Sequence, residues 1–247
     1  MTHSSSPTFR FTLRRWWREG LARDGFRQTV RNLVNHLWEF LRDSTPAQKR
    51  QRYGDADYDW DHRVNTTSAT VNWHDRLLGE FHSAYQPTEP ALFREMMESM
   101  ASLGIEFQDF TFIDVGSGKG RVLLMASDYP FHRVLGIELL VDLHRVAQEN
   151  IQAYKSESQR CFDVEAVAAD ARQFSFPDAP TILYLFNPLP EAALIEMMSN
   201  LGRSLLENPR TVYVLYHNPL LEHVLASQSK FHKVGGSHQF SIFRTYT

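Results

Sequence analysis

The sequence lacks the features of secreted, disulfide-linked and membrane-spanning proteins. Its 247 residues contain a single cysteine, Cys161, so no internal disulfide can form and a cysteine-rich zinc site is disfavoured. No apolar run approaches the roughly 20 residues that cross a bilayer. The first residues, MTHSSSPTFRFTLRR, contain no apolar core of a secretory signal. These absences predict a protein of a reducing compartment, which we expect to be the cytoplasm.

A strong net charge is also missing, but the charges are unevenly distributed. The formal net charge is -3, which is not typical of a nucleic-acid-binding protein. Residues 1–52 contain eleven Lys/Arg and four Asp/Glu, which leaves 15 of the 26 basic and 25 of the 29 acidic residues in the remainder. A basic N-terminal segment therefore precedes an acidic body, and the sequence carries no specific nucleic-acid signal.

The N-terminal third is predicted as an extension, residues 1–79, that combines basic helices with a linker or lid. Apolar residues recur at mostly three- and four-residue steps in residues 9–42, which predicts one or two amphipathic helices. The main interpretation is that their apolar stripe packs on the domain. Because Trp16 and Trp17 lie among arginines, contact with a membrane surface or a partner is an alternative, and disorder is another. Residues 43–66 show no clean period and read as a linker or a loop over a site.

Residues 80–247 alternate between strand-like and helix-like segments. A helix is expected over 90–103, with a buried stripe of Leu92, Met96, Met100 and Leu103. Strands are predicted at 110–115, 133–139, 163–170, 179–188 and 210–219, and helices at 119–128, 143–158, 191–208 and 220–229. Residues 231–236 and 239–246 read as a closing hairpin. The pattern predicts a doubly wound, mostly parallel seven-stranded α/β sheet with an antiparallel C-terminal hairpin.

A glycine loop follows the first of these strands, in the stretch IDVGSGKGR at 113–121. A phosphate-binding P-loop needs G-x-x-x-x-G-K-[ST], but Ile113 replaces its first glycine and Gly120 its hydroxyl residue. The dinucleotide fingerprint G-x-G-x-x-G needs a third glycine where Arg121 stands, and a large charged residue there would crowd the helix against the strand. Both ligands therefore fit poorly.

The same stretch resembles motif I of the class I S-adenosylmethionine-dependent methyltransferases. It matches D/E-x-G-x-G-x-G at Asp114, Gly116, Gly118 and Gly120, with Ser117 between the first two glycines. The resemblance implies a methyltransferase that binds S-adenosyl-L-methionine through these five residues. The chemistry agrees, because this ligand has no phosphate and carries two cationic groups that suit a nearby carboxylate.

Further cofactor-binding residues are implied at the ends of the next two strands. Glu138 ends the second strand, where the resemblance implies that a carboxylate binds the ribose hydroxyls. Asp170 follows the third strand, where family members place a partner for the adenine amino group, and Ala171 leaves room for the base. The alternative is that Asp170 merely caps a turn.

The segment YQPTEP precedes the first predicted helix of the domain. Similar segments occur in bacterial class I methyltransferases of unassigned substrate and, more loosely, in non-SET lysine methyltransferases. Tyr85 and Thr88 are therefore expected to contact the cofactor or the substrate. The alternative interpretation is that Thr88 caps the helix that Pro90 begins.

The methyl acceptor is expected beside the ends of the fourth and fifth strands. The resemblance places Asn187 and Pro188 next to the transferred methyl group, with Asn187 also a cofactor contact; His217 and Asn218 end the neighbouring strand. His217 is a candidate general base, and ordinary turn chemistry is the alternative for both asparagines. The [DN]-P-P-[YF] motif of enzymes that methylate DNA adenine or glutamine is absent. We therefore expect a small molecule or a protein side chain as the acceptor, and no metal.

Two other functions stay open from the sequence. A methyltransferase-like protein that has lost catalysis would keep motif I and bind the cofactor without turnover. A nicotinamide-dependent oxidoreductase is a weaker alternative, because the glycine spacing departs from the dinucleotide fingerprint.

Overall fold

The computed structural model describes residues 56–67 and 87–246, which belong to one compact unit. The helices expected in residues 9–42, the domain boundary expected after residue 79 and the residue Tyr85 lie outside the described residues. Within the two described ranges, no helix has the length and apolar character needed to cross a membrane.

The described elements alternate along the chain as the sequence predicts, with small differences at their ends. The helices are α1 (Ala56–His62), α2 (Pro90–Ser102), α3 (Arg121–Ser127), α4 (Val141–Ala153), α5 (Glu191–Glu207) and α6 (Glu222–Ala226). The strands are β1 (Thr111–Val115), β2 (Arg133–Glu138), β3 (Val164–Ala168), β4 (Thr181–Leu185), β5 (Val212–His217), β6 (Phe231–Gly236) and β7 (Phe240–Thr245).

The seven strands form one sheet in the order β3-β2-β1-β4-β5-β7-β6. Strands β1 to β5 pair in parallel, and β7 pairs antiparallel with both β5 and β6. This arrangement confirms the predicted fold class, including the antiparallel hairpin, and it is the fold that the resemblance to class I methyltransferases implies. The chain leaves β1 toward β2 and β3 on one side and returns to β4 and β5 on the other. The carboxyl ends of β1 and its two neighbours thus border a crevice of the kind in which open α/β sheets bind ligands.

Apolar residues cover both faces of the sheet. One core packs α2 and α3 on residues such as Phe112 and Ile182, and the other packs α5 on residues such as Ile113 and Leu183. Alternate residues of β1 and β4 thus enter opposite cores, and all five residues of each strand are buried.

One local prediction was confirmed only in part, and a second was wrong. The buried residues of α2 are Phe93, Met96, Met97 and Met100, whereas Leu103 is the C-terminal cap and is 39% exposed. Met96 and Met100 of the predicted stripe are thus confirmed, and Leu92 packs against the core while partly buried. Leu103 was predicted wrongly, because the helix ends at Ser102 and Leu103 only caps it. Residues 43–66, predicted without regular structure, include helix α1, whose seven residues are too few to produce a readable period.

Candidate cofactor and acceptor site

The glycine loop has a backbone that only glycine adopts without strain. Gly116, Gly118 and Gly120 all have positive φ, at 74°, 54° and 84°. A Cβ at Gly116 would lie 2.7 Å from the Cβ of Pro188, and one at Gly120 would lie 3.2 Å from the Cβ of Ala147. The loop after β1 is therefore pressed against the loop after β4 on one side and against α4 on the other.

Four N–H groups of this loop are used within the protein. Gly116 and Ser117 both donate to the carbonyl of Ile137, at 2.8 and 3.1 Å, and Gly120 donates to Ser117 at 2.8 Å. The N–H of Gly118 donates to Oε2 of Glu138 at 2.8 Å. A phosphate-binding loop must instead direct several N–H groups at its ligand. The structure therefore disfavours a phosphate or pyrophosphate at this loop, in agreement with the glycine spacing.

Glu138 joins the end of β2 to the glycine loop. Its Oε2 accepts from Gly118, and its Oε1 accepts from the N–H of Leu140 at 2.7 Å. A carboxylate has about four lone-pair sites, so the group can still accept a hydrogen bond from a ribose hydroxyl. Burial raises the pKa of Glu138, and the backbone N–H groups of Leu140, Gly118 and Leu139 partly oppose this. The predicted residue is thus held at the strand end with accepting capacity to spare.

Asp114 brings a second buried carboxyl group to the same place. It is 4% exposed, and both burial and the nearby charge of Glu138 raise its pKa well above the usual value. Two like charges in a buried setting repel each other and lack solvation. A ligand with positive charge relieves both costs, whereas an anionic ligand adds to them.

Ser117 lies in the glycine loop, but its side chain turns toward β2. A Cβ at Gly136 would lie 2.7 Å from its Oγ, and this buried hydroxyl has no hydrogen-bond partner among the described residues. The close approach explains why β2 has a glycine at this position. A cofactor contact of Ser117 stays a prediction.

Asp170 and Ala171 follow β3 in a short 3₁₀ turn. Asp170 accepts from the N–H of Arg172 at 2.9 Å and forms an ion pair with its guanidinium at 2.6 Å. Hydrogen bonds from Arg172 accordingly lower the pKa of Asp170. Asp170 therefore does cap a turn, as the alternative interpretation held. Ala171 is buried beside it, and the adenine contact of both residues stays a prediction.

Thr88, Tyr184 and His217 form a buried hydrogen-bonded row across the ends of β4 and β5. The Thr88 and Tyr184 hydroxyls are 2.8 Å apart, and the Tyr184 hydroxyl is 2.8 Å from Nδ1 of His217. The His217 ring also stacks on Phe186, with 3.9 Å between centroids. Burial lowers the pKa of His217 to about 4, so its imidazole is neutral at pH 7. Nε2 is the nitrogen that Tyr184 does not use.

Thr88 therefore does not cap the following helix. The N-terminal cap of α2 is Glu89, which makes no side-chain capping hydrogen bond, and Pro90 is the first helical residue as predicted. The capping interpretation of Thr88 was wrong, because its hydroxyl points to Tyr184 instead.

Asn187 and Asn218 follow β4 and β5 and share an unusual backbone conformation. Both have positive φ, 45° and 46°, a conformation that asparagine tolerates better than most residues. The Asn187 amide donates to the carbonyl of Asn218 at 2.7 Å and accepts from the Tyr216 hydroxyl at 2.9 Å. The side chain of Asn187 thus ties the two strand ends together. Its catalytic role, like those of Pro188 and Asn218, stays a prediction.

A segment before the sheet domain supplies site residues that the sequence did not reveal. We call residues 56–67 the strap. Lys119 Nζ donates to Asn65 Oδ1 at 2.9 Å, and Arg121 Nε donates to Thr66 Oγ1 at 2.7 Å. Both basic residues are buried although they adjoin Gly120 in a polar-looking loop. The only sequence signal was Arg121 itself, at a position where the dinucleotide fingerprint has a glycine.

Comparison with known proteins finds no matching family model and no matching curated protein. Among solved structures, the chain is similar to the magnesium protoporphyrin IX methyltransferase of Synechocystis with bound SAM, at 13% identity and a TM-score of 0.44, over 81% of this chain and 96% of that one.

Two further structures are similar over a shorter part of the chain. An RNA methyltransferase of Salinibacter ruber with S-adenosyl-L-homocysteine matches at 22% identity and a TM-score of 0.42, over 64% of this chain and 92% of that one. A ribosomal protein L11 methylase of Lactobacillus delbrueckii subsp. bulgaricus matches at 17% identity and a TM-score of 0.42, over 61% and 76%. Likenesses this distant carry no argument about function. The strand order of this chain is that of the class I methyltransferase fold. A fold does not define an activity, which depends on the residues of the site.

Proposed function

We propose that this protein is an S-adenosyl-L-methionine-dependent methyltransferase. The observation that carries the proposal is the pair of buried carboxyl groups, Asp114 and Glu138, beside a glycine loop in which four N–H groups are already engaged within the protein. S-adenosyl-L-methionine supplies a cationic ammonium and sulfonium to offset the buried negative charge, and ribose hydroxyls to occupy the free lone pairs of Glu138.

The same observation disfavours a nicotinamide cofactor. A dinucleotide brings a pyrophosphate to the loop after β1, and there it needs N–H donors. At Gly116, Ser117, Gly118 and Gly120 these donors are engaged within the protein. The pyrophosphate would also approach two buried carboxyl groups of its own charge.

We propose a small molecule or a protein side chain as the methyl acceptor, bound beside the ends of β4 and β5. The acidic character of residues 53–247, with 25 acidic and 15 basic residues, supports this over a polyanionic nucleic acid. Methyl transfer is an in-line displacement that depends mainly on alignment and exclusion of water. His217 is the proposed base if the acceptor must lose a proton, because its imidazole is neutral and its Nε2 is not used by Tyr184.

Cofactor binding is tested with the purified protein. We expect S-adenosyl-L-homocysteine at about a hundred times its dissociation constant to stabilise the fold by about 2.7 kcal/mol, seen as a thermal shift of several degrees. In Glu138→Gln, the new amide group must face one of two N–H donors, so affinity should fall roughly 10- to 100-fold by calorimetry.

The matched control is Glu207→Gln, which makes the same change at an exposed position in the last turn of α5 and should leave the affinity unchanged. If the wild-type protein binds neither S-adenosyl-L-methionine nor S-adenosyl-L-homocysteine, but binds NADH with a change in its fluorescence, the methyltransferase proposal is wrong.

The acceptor class is tested by incubating the protein with methyl-labelled cofactor and a cell extract, then separating protein, RNA and small molecules. We expect label in the protein or the small-molecule fraction. Label confined to RNA would overturn the acceptor assignment, and tight cofactor binding without transfer to any fraction would indicate a binding protein that has lost catalysis.

A further inference from the structure

The strap contributes the partners of a buried arginine next to the glycine loop. Arg121 is 2% exposed and begins α3 directly after Gly120. Its guanidinium lies over the Tyr58 ring at 4.7 Å and 3.4 Å from Oδ1 of Asp59. A buried cation is costly unless it is paired and hydrogen-bonded, so the position of Arg121 depends on the strap.

Asp59 is itself fixed by the end of the strap. Its carboxylate accepts from the N–H groups of Thr66 and Thr67, both at 2.8 Å, and from both of their hydroxyls. Burial pushes the pKa of Asp59 up, but these hydrogen bonds outweigh it and the net shift is downward. Residues 59–67 thus close on themselves around an anion that faces Arg121.

Asn65 attaches the strap to the other residue that adjoins Gly120. Its side-chain oxygen accepts from Lys119 Nζ at 2.9 Å. Its backbone N–H donates to Asn150 Oδ1 at 2.8 Å, and Asn150 Nδ2 donates in turn to the carbonyls of Asn65 and Lys119. Lys119 is therefore held at its side chain and its backbone.

The glycine loop is consequently fixed from two sides. Glu138 holds the N–H of Gly118, and the strap holds Lys119 and Arg121 on either side of Gly120. Glycines have the largest backbone entropy to lose, so a loop of three of them needs such fixation before a ligand arrives. A loop that must be ordered during binding costs affinity.

We propose that the strap is a positioning element for the glycine loop, and that Asp59, Asn65 and Arg121 set the affinity for the cofactor through the conformation of that loop. The inference rests on the proposed function. In this proposal, the strap holds the loop in its binding conformation before the cofactor arrives. If its loss reduces that conformation to about a tenth of the population, the apparent dissociation constant rises about tenfold.

The test compares two aspartates of α1. Asp59→Asn removes the charge that faces Arg121, and Asp57→Asn makes the same change two residues away at an exposed position. At a temperature where circular dichroism shows both variants folded, we expect Asp59→Asn to bind S-adenosyl-L-homocysteine roughly tenfold more weakly, and Asp57→Asn to match the wild type.

A milder pair covers the case in which Asp59→Asn does not fold. Thr67→Val deletes the hydroxyl that donates to Asp59, and Thr67→Ser keeps it. We expect Thr67→Val to weaken binding and Thr67→Ser to restore most of the affinity. A purely structural role would lower the melting temperature of these variants but leave the dissociation constant of the folded protein within about twofold of the wild type, and this result would overturn the inference.

Hydrogen exchange separates this inference from the proposed function, because it needs no ligand. In the unliganded protein, the amides of residues 116–121 should exchange faster in Asp59→Asn and Thr67→Val than in Asp57→Asn and the wild type. If the exchange rates of residues 116–121 are the same in all four proteins, the strap does not position the loop, even if the cofactor binds. If exchange is faster in these variants but the wild-type protein does not bind the cofactor, the strap still positions the loop and the methyltransferase proposal is wrong.

Discussion

The two halves of the site are held by different kinds of interaction. Following the proposed function, we call the ends of β1 and β2 with the glycine loop the cofactor half, and the ends of β4 and β5 the acceptor half. In the cofactor half, the carboxylate of Glu138 is bound by backbone N–H groups. In the acceptor half, neutral side chains are hydrogen-bonded to one another: Tyr184 to His217, and Tyr216 to Asn187.

The difference in charge fits the proposed reaction. The buried carboxyl groups of Asp114 and Glu138 favour a cationic cofactor on one side of the crevice. Burial keeps His217 neutral on the other side, so it does not repel the sulfonium. In the proposed transfer, the positive charge on sulfur disperses as the methyl group moves toward the neutral half. The difference in charge between the halves therefore supports the proposal that each binds one of the two reactants.

The largest expected effect comes from breaking the contact between the halves. In Gly116→Ala, the new Cβ would lie 2.7 Å from Pro188 Cβ, on a backbone with φ of 74°. We expect a loss of about 3–4 kcal/mol in the free energy of unfolding, from overpacking and left-handed strain together, and a loss of cofactor binding. Urea denaturation and calorimetry measure the two effects.

Gly104→Ala is the matched control for this change. Gly104 has nearly the same φ, 75°, but a Cβ there would have no atom within 4 Å. It should cost only the backbone strain, about 1–2 kcal/mol, and leave binding intact. Equal losses in the two variants would mean that Pro188 yields and that the halves are not in firm contact.

The next effect is the pH dependence of the acceptor half. Burial lowers the pKa of His217 to about 4 from a usual value of 6.5, so the unfolded chain takes up the proton first as the pH falls. The stability contributed by the neutral imidazole is present above pH 6.5 and is lost as the pH falls toward 4. The two pKa values give a loss of about 3 kcal/mol over this window.

The variant His217→Gln isolates this contribution, because the glutamine does not titrate and other groups cancel in the difference. The stability difference between wild type and variant should grow in favour of the wild type as the pH rises from about 4 to 6.5. A difference that stays constant with pH would show that His217 is not buried as a neutral group.

The positions of the glycine loop and of Glu138 were predictable from the sequence because their signals are local. The register of three glycines behind Asp114 spans seven residues, and Glu138 ends a strand whose apolar run is visible in the sequence. The structure confirms that the loop follows β1 and that Glu138 ends β2, whereas the cofactor contacts of these residues stay predictions. Asp170 shows where local sequence patterns are ambiguous. Its place after β3 favours a cofactor contact, whereas its pairing with Arg172, two residues away, favours a turn cap, and the sequence does not decide between the two.

The strap and the buried row were not readable because their contacts join distant parts of the chain. Arg121 and Asp59 are 62 residues apart, and Thr88 and Tyr184 are 96 residues apart. A fully buried arginine also contradicts the expectation that charged residues are exposed. Only the folded chain reveals that polar residues before the domain satisfy that charge.

The smallest expected effect is a gain in stability from a mutation in the cofactor half, where most mutations would lower stability. Burial and the charge of Glu138 raise the pKa of Asp114, so the folded protein favours the protonated form and loses stability as the pH rises through that raised pKa. Asp114→Asn is neutral at every pH. We expect it to be about 1–2 kcal/mol more stable than the wild type at pH 8, with a smaller gain at pH 5, while its cofactor affinity falls. The exposed Asp109→Asn, two residues before β1, should change neither quantity. Urea denaturation at both pH values measures the difference in stability. If Asp114→Asn is less stable than the wild type at pH 8, other groups of the protein already stabilise the buried carboxylate. The difference in charge between the halves would then be weaker than the burial of Asp114 implies.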